Sequence, residues 1–268
     1  LHALSLANAG QWTAKNLTLK GTTLDNSAAI SGVNAFTLAM NGAVRQQKAG
    51  SMLSGGALDL TAASVTNEGK IQGATLGMTT GALTNSGRLQ GDNGATLSLS
   101  GDLINQASGE IVSRQGLTLS TPVLSNYGLM QGGGETHLNA TTRALNDGKL
   151  LSGAGMKLTT PQYSGAGWLQ AANLILNAAT ATNSGNWLAD SATLAGTSFT
   201  NLGTAQAGQL AVKYTQLTNN GTLLGTSQLS VNASQINQNA AGKLFSGGDL
   251  SVESHGLGAL GQVVALGN

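Results

Sequence analysis

Eleven carboxylates could do acid–base chemistry in this 268-residue chain: Asp25, Asp59, Glu68, Asp92, Asp102, Glu110, Glu135, Asp147, Asp190, Asp249 and Glu253. Cleaving a polysaccharide needs two or three acids, or an acid and a base, converging on one face. His2, His137 and His255 stand far apart and there is no cysteine, so the sequence offers no metal-ligand spacing and no thiol chemistry. The calcium-binding Gly-Gly-any-Gly-any-Asp repeat is absent. Gly132-Gly133-Gly134-Glu135 has the glycines of a phosphate-cradling loop without its Lys-Ser/Thr, and reads as a flexible corner. Trp168 is the aromatic that would stack on a sugar if exposed. Which of these groups meet depends on the elements that carry them.

Composition restricts those elements. Glycine fills 39 of 268 positions, charged residues are 9%, aromatics 3% and proline only 2 residues. Disorder needs more charge or proline, and collagen needs glycine at every third position. No apolar run approaches the ~18 residues of a transmembrane helix. The first ten residues lack the basic and apolar stretches of a signal peptide. Twelve basic against eleven acidic residues leave a net charge of +1, so no nucleic-acid partner is expected.

One short pattern recurs: apolar, any, Asn, any, Gly, polar, apolar. Leu83-Thr84-Asn85-Ser86-Gly87-Arg88-Leu89 shows it, as do Val65 to Ile71 and Leu217 to Leu223; Leu145-Asn146-Asp147-Gly148-Lys149-Leu150 carries one deletion. The anchors are Asn8, Asn26, Asn67, Asn85, Asn105, Asn126, Asn146, Asn183, Asn201 and Asn219. Gln46 fills one missing place, and Ser164 or Gly165 another. Each anchor leads through a Gly-rich turn to a leucine-any-leucine pair such as Leu58 and Leu60, or Leu97 and Leu99.

Repeats of 18–21 residues indicate a solenoid. Apolar and polar residues alternate within each unit, and the polar partners are Thr, Ser and Asn, so the units are strands. The spacing predicts an all-β, right-handed parallel β-helix of about thirteen coils of 18–21 residues. At a spacing of about 4.8 Å such coils extend roughly 60 Å. One inward row runs through Leu24, Val65, Leu83, Leu103, Leu124, Leu145, Tyr163, Phe199, Leu217 and Ile236. A second runs through Ile30, Ile71, Leu89, Ile111, Met130, Leu150, Leu169, Trp187, Leu223 and Leu244. Asn26, Asn67, Asn85, Asn105, Asn126, Asn146, Asn183, Asn201 and Asn219 are expected to form a structural row whose amides bond from coil to coil. The residues after the turn glycine, among them Lys70, Arg88, Glu110, Lys149 and Trp168, should face water. In this frame the acids mostly occupy different columns; Arg88 and Glu110 lie on adjacent coils and are placed to pair.

The segment Leu83 to Leu89, followed by Leu97-Ser98-Leu99, resembles the haemagglutinin repeats of filamentous haemagglutinin-type exoproteins, which also occur in large effectors of contact-dependent growth inhibition. The resemblance covers about residues 4 to 253. It implies export by an outer-membrane two-partner secretion transporter, location at the bacterial cell surface, and a target-cell receptor or glycan as a further partner. The family's secretion domain carries Asn-Pro motifs; none occurs here, so this stretch is expected downstream of it.

The reading is therefore a haemagglutinin-repeat β-helix over 1–253 and a partial coil over 254–268, an interior slice of a longer protein. Its expected role is a structural shaft that presents a distal binding or toxin region. It is not expected to be an enzyme, and no catalytic residue, cofactor or metal is assigned. The alternatives are a polysaccharide-active β-helix enzyme and a glycan- or receptor-contacting patch around Trp168.

Overall fold

The computed structural model describes residues 2–258 and 261–267 and is all-β, a parallel β-solenoid of about fourteen turns against the thirteen expected from the repeat. No helix occurs among the described residues. Residues 259, 260 and 268 of the expected terminal partial coil, and the side chain of His2, lie outside the described residues. The chain divides into two compact units, Leu1–His137 and Leu138–Asn268.

In the first unit every pairing is parallel and joins a strand to its equivalent one coil on. Ala57–Asn67 pairs with Thr75–Asn85 so that Leu58 meets Leu76, Leu60 meets Met78, Val65 meets Leu83 and Asn67 meets Asn85. Stacking equivalents in this way builds buried columns. One passes through Leu24, Val44, Val65, Leu83, Leu103 and Leu124, and a second through Ile30, Met52, Ile71, Leu89, Ile111 and Met130. A third, Leu19-Leu38-Leu60-Met78-Leu97-Leu119, fills the remaining side. Leu97 thus matches the second leucine of its neighbours, and Ala95 takes the first place. The Leu97 and Leu99 pair expected from the sequence is therefore displaced by one inward position.

The second unit repeats the arrangement with longer unbroken strands, such as Trp168–Asn183, Asn186–Asn201 and Thr204–Asn219. Its columns include Leu150-Leu169-Trp187-Ala205-Leu223-Leu244 and Tyr163-Ala181-Phe199-Leu217-Ile236. Leu145 is a correction: it is half-buried, and Ala144 is the buried residue before Asn146. Strand alternation explains the swap, because the residue immediately before the inward Asn146 must point outward. Pro161 falls between the paired Thr160 and Gln162, at a corner that the ladder also skips at Ala63 and Gly81, so its missing N–H is tolerated there.

Aromatics enter this lumen only where a neighbour is small. Ala181 separates Tyr163 from Phe199, and Ala205 follows Trp187. Tyr214 sits beside Gly196, where a Cβ would lie 2.6 Å from the ring. The four rings pack in sequence, with centroids 5.4 Å apart for Tyr163–Trp187, 5.7 Å for Trp187–Phe199 and 5.3 Å for Phe199–Tyr214. The first contact is edge-to-face and the second stacked, both favoured arrangements.

Burial pushes the phenols of Tyr163 and Tyr214 well above the ordinary tyrosine range. The sign follows from proton binding. Below about pH 10 both folded and unfolded phenols are protonated; above it the unfolded chain loses protons that the folded chain keeps. The contribution of these two phenols to stability should therefore be constant up to about pH 10 and then fall, by on the order of 1 kcal/mol per pH unit for each tyrosine. Denaturant unfolding at stepped alkaline pH measures this, and Tyr214→Phe should flatten the decline.

Candidate functional site

Among the described residues the coils begin with a buried amide, except the one that begins at Gly165. Asn26, Asn67, Asn85, Asn105, Asn126, Asn146, Asn183, Asn201 and Asn219 are all 0% exposed, and Asn8 is likewise buried. Within three runs, the side-chain amide of each rung donates to the oxygen of the next. Asn8 Nδ2 reaches Asn26 Oδ1 at 2.7 Å, and Asn26 reaches Gln46 Oε1 at 2.8 Å. Asn67, Asn85, Asn105 and Asn126 form a second run with spacings of 2.7, 2.8 and 2.8 Å. In the other unit Asn183, Asn201 and Asn219 form a third, at 2.9 Å for both steps. All these amides point the same way along the chain.

The second amide proton and the oxygen are also used. Asn183 Nδ2 donates to Thr204 O at 3.2 Å, Asn201 to Thr222 O at 3.1 Å, and Asn219 to Lys243 O at 3.1 Å. Each acceptor lies just beyond the next coil's turn. Asn183 Oδ1 also accepts the Gly185 N–H at 2.9 Å, closing the turn that the Asn begins. The rung is thus a complete hydrogen-bonding unit in an apolar lumen, where an unmade bond costs about 1–3 kcal/mol.

Two rungs depart from asparagine. Gly165, not Ser164, is in register with Asn183, and a Cβ there would collide with Asn146 O. Gln46 is one methylene longer; among the described residues its Nε2 and the Oδ1 of Asn67 in the next coil are both buried without a partner. Gln238, in register with Asn219, is a further rung that the repeat pattern misses. Its amide donates to Gly242 O at 2.5 Å and Gln262 O at 3.0 Å. The signal was available, because Ile236-Asn237-Gln238 copies Val44-Arg45-Gln46.

The other two corners carry hydroxyls, also missed. Ser54, Ser152 and Ser246 donate to carbonyls three residues on at 2.7, 2.8 and 2.7 Å. Thr80, Thr121 and Thr160 donate two residues on at 3.2, 3.1 and 3.1 Å.

The reactive groups lie outside. Arg88 pairs with Glu110, and Arg88 Nε donates to Gln90 Oε1 at 2.8 Å. Gln72 and Gln90 donate to Asp92 at 2.9 and 2.6 Å, and Arg114 approaches it at 3.3 Å. These contacts hold the Asp92 carboxyl below the ordinary carboxylate range, the Gln72 bond contributing most. Asp25 accepts from Gln47 at 2.6 Å, Asp147 from the Ala166 N–H at 2.9 Å, and Glu253 from Asn232 at 2.7 Å. Among the described residues no three His, Asp or Glu side chains gather as a metal site. A groove of about 660 Å³ in the first unit is lined by Thr61, Thr79, Ser98, Ser120 and small neighbours, with no carboxylate. Trp168 is 38% exposed, between Lys149 and Asn186 in register, and its Nε1 donates to Gln170 Oε1 at 3.1 Å. His137 and His255 are exposed, and Gly133, Gly134 and Glu135 form a corner facing water.

The mismatch at Gln46 gives a stability prediction. Its turn, Gln46 to Gly50, matches Asn105 to Gly109: Gly50 N–H donates to Gln47 O at 2.9 Å and Gly109 N–H to Gln106 O at 2.8 Å. Asn105 in that turn bonds both neighbouring rungs. Gln46→Asn should therefore join the first two runs and stabilise the chain by about 1 kcal/mol. A raised denaturation midpoint checks this.

No family model matches the chain, and no solved structure matches it. Curated relatives do. "Toxin CdiA" of Escherichia coli is 46% identical over 271 residues, covering 100% of this chain and 9% of the relative. "tRNA nuclease CdiA" of Escherichia coli strain NC101 is 46% identical over 100% of this chain and 8% of its own length. "16S rRNA endonuclease CdiA" of Enterobacter cloacae is 48% identical over 75% of this chain and 6% of its own length. The chain thus spans less than a tenth of each of these relatives. The expectation that the chain is not an enzyme is overturned by relatives named as a toxin and as nucleases, and the expectation of no nucleic-acid partner conflicts with the same names. The chain belongs to the filamentous haemagglutinin-type repeat regions of two-partner-secreted, cell-surface exoproteins, and is homologous along its whole length to a stretch of the CdiA proteins of contact-dependent growth inhibition.

Proposed function

We propose that this chain is a β-helical shaft segment of a contact-dependent growth inhibition effector, and that the whole effector is an enzymatic toxin acting on nucleic acid in the target cell. The observation that carries the reading is the combination of full-length identity to CdiA proteins with coverage of less than a tenth of each. Uniform coils support it. Each makes its backbone ladder, core column and amide rung from its neighbours alone, so coils are added or removed without redesigning the rest. Export through an outer-membrane transporter suits such a chain, since each emerging coil has the preceding one as a template and there is no cysteine to cross-link on the way. Contact with a receptor or glycan, where this segment makes it, falls to exposed groups such as Trp168.

Interchangeable coils make a sharp test. Asn67 and Asn85 are register partners 18 residues apart, so deleting 68–85 removes one coil and leaves Asn67 leading into the turn that followed Asn85. In the full-length effector this deletion should preserve surface display, inhibition of neighbouring cells and loss of intact nucleic acid in those cells. Deleting only 68–76 breaks register and should abolish display. A displayed effector that lacks 68–85 and no longer inhibits would contradict the shaft reading.

A further inference from the structure

Three asparagines precede glycine: Asn41-Gly42, Asn93-Gly94 and Asn220-Gly221. In such a pair the glycine amide nitrogen can attack the asparagine side-chain carbonyl, because no β-carbon shields it. The N–H must be free to do so, and space must exist for the ring that forms. Two of the pairs fail both conditions. The Gly42 N–H donates to Thr22 O at 2.7 Å, and the Gly221 N–H to Asn201 O at 3.0 Å. A Cβ on Gly42 would meet Thr22 O at 2.9 Å, and one on Gly221 would collide with Gly203 O.

Asn93-Gly94 differs on each count. It lies in the corner between the strands Arg88–Gly91 and Ala95–Leu99. Asn93 is exposed, and the Gly94 N–H donates to no acceptor among the described residues. Around Gly94 the nearest atom to an added Cβ is Gly116 O at 3.9 Å, so the corner is open. Gly94 has φ +153, and the bonds that fix the corner are made by the flanking groups, Asn93 N–H to Ala74 O at 2.6 Å and Leu76 N–H to Gly94 O at 3.0 Å.

We propose that Asn93-Gly94 is a site of spontaneous modification, the one of the three pairs that the folded chain leaves reactive. The Gly94 nitrogen adds to Asn93 Cγ, the Asn93 amide leaves as ammonia, and a succinimide closes. Water then opens the ring at either carbonyl, giving aspartate or isoaspartate. The product adds a negative charge next to Asp92, whose carboxyl is held by Gln72, Gln90 and Arg114. The isoaspartate form also lengthens the backbone at a corner between two stacked strands.

Incubating the chain at mildly alkaline pH and mapping its peptides by mass spectrometry tests this. In the folded chain Asn93 should lose its amide several-fold faster than Asn41 or Asn220, with isoaspartate among the products. In urea the three rates should converge, because the ladder bonds at Gly42 and Gly221 are gone. Equal rates in the folded chain would overturn the proposal. So would a ranking that persists unchanged in urea, since local sequence and not the fold would then be the cause.

Discussion

In a stack of parallel coils, the nearest neighbours of any side chain are those at the same position one coil before and one coil after, about 4.8 Å away. Every column must therefore be filled with residues that tolerate their own kind at that distance. Branched and straight aliphatics do, and they line the columns through Leu83 and Leu89. Charges do not, which accounts for the 9% charged content and for a lumen that, among the described residues, holds no acid or base. In the second unit the rings have alanine or glycine beside them, as around Phe199 and Tyr214, whereas Phe36 in the first unit is buried between Leu17 and Leu58.

Asparagine is the polar residue that satisfies the same constraint. Its amide has a donor end and an acceptor end, so identical rungs bond head to tail without a second residue type. The arrangement depends on length. Glutamine at position 46 still accepts from Asn26, yet its donor fails to meet Asn67. Gly165 avoids the problem by removing the side chain and bringing backbone against Asn146. The corner serines and threonines work differently, bonding to carbonyls within their own turn, and Thr121 also donates to Gly101 O one coil back at 2.8 Å.

The solenoid was legible because its period is written in one residue type that recurs at 18–21-residue spacing. Where spacing was the only guide, small errors entered. A deletion near Asn146 made Leu145 read as inward, and the strand's own alternation places Ala144 there. Gln238 escaped because it is not asparagine and no glycine follows it two places on, so it lacks the residue types by which the row is traced. The hydroxyl corners escaped because serine and threonine also populate the outward positions. The cluster around Asp92 escaped because Gln72 and Gln90, register partners 18 residues apart, lie outside the asparagine and leucine positions that mark the repeat. What the relatives' names add, an enzymatic toxin, has no counterpart in the columns: a repeat describes how coils stack, and chemistry resides in groups that break the repeat.

The central claim is that the buried amides form bonded rungs continuous with the backbone ladder. Hydrogen exchange at the side-chain Nδ2 groups, followed by NMR, tests it most directly. Asn85, Asn105, Asn183 and Asn201 should exchange as slowly as the backbone N–H groups of the adjoining strands, while the exposed Asn93 exchanges at the rate of a free amide. Rung amides that exchange as fast as Asn93 would contradict the account.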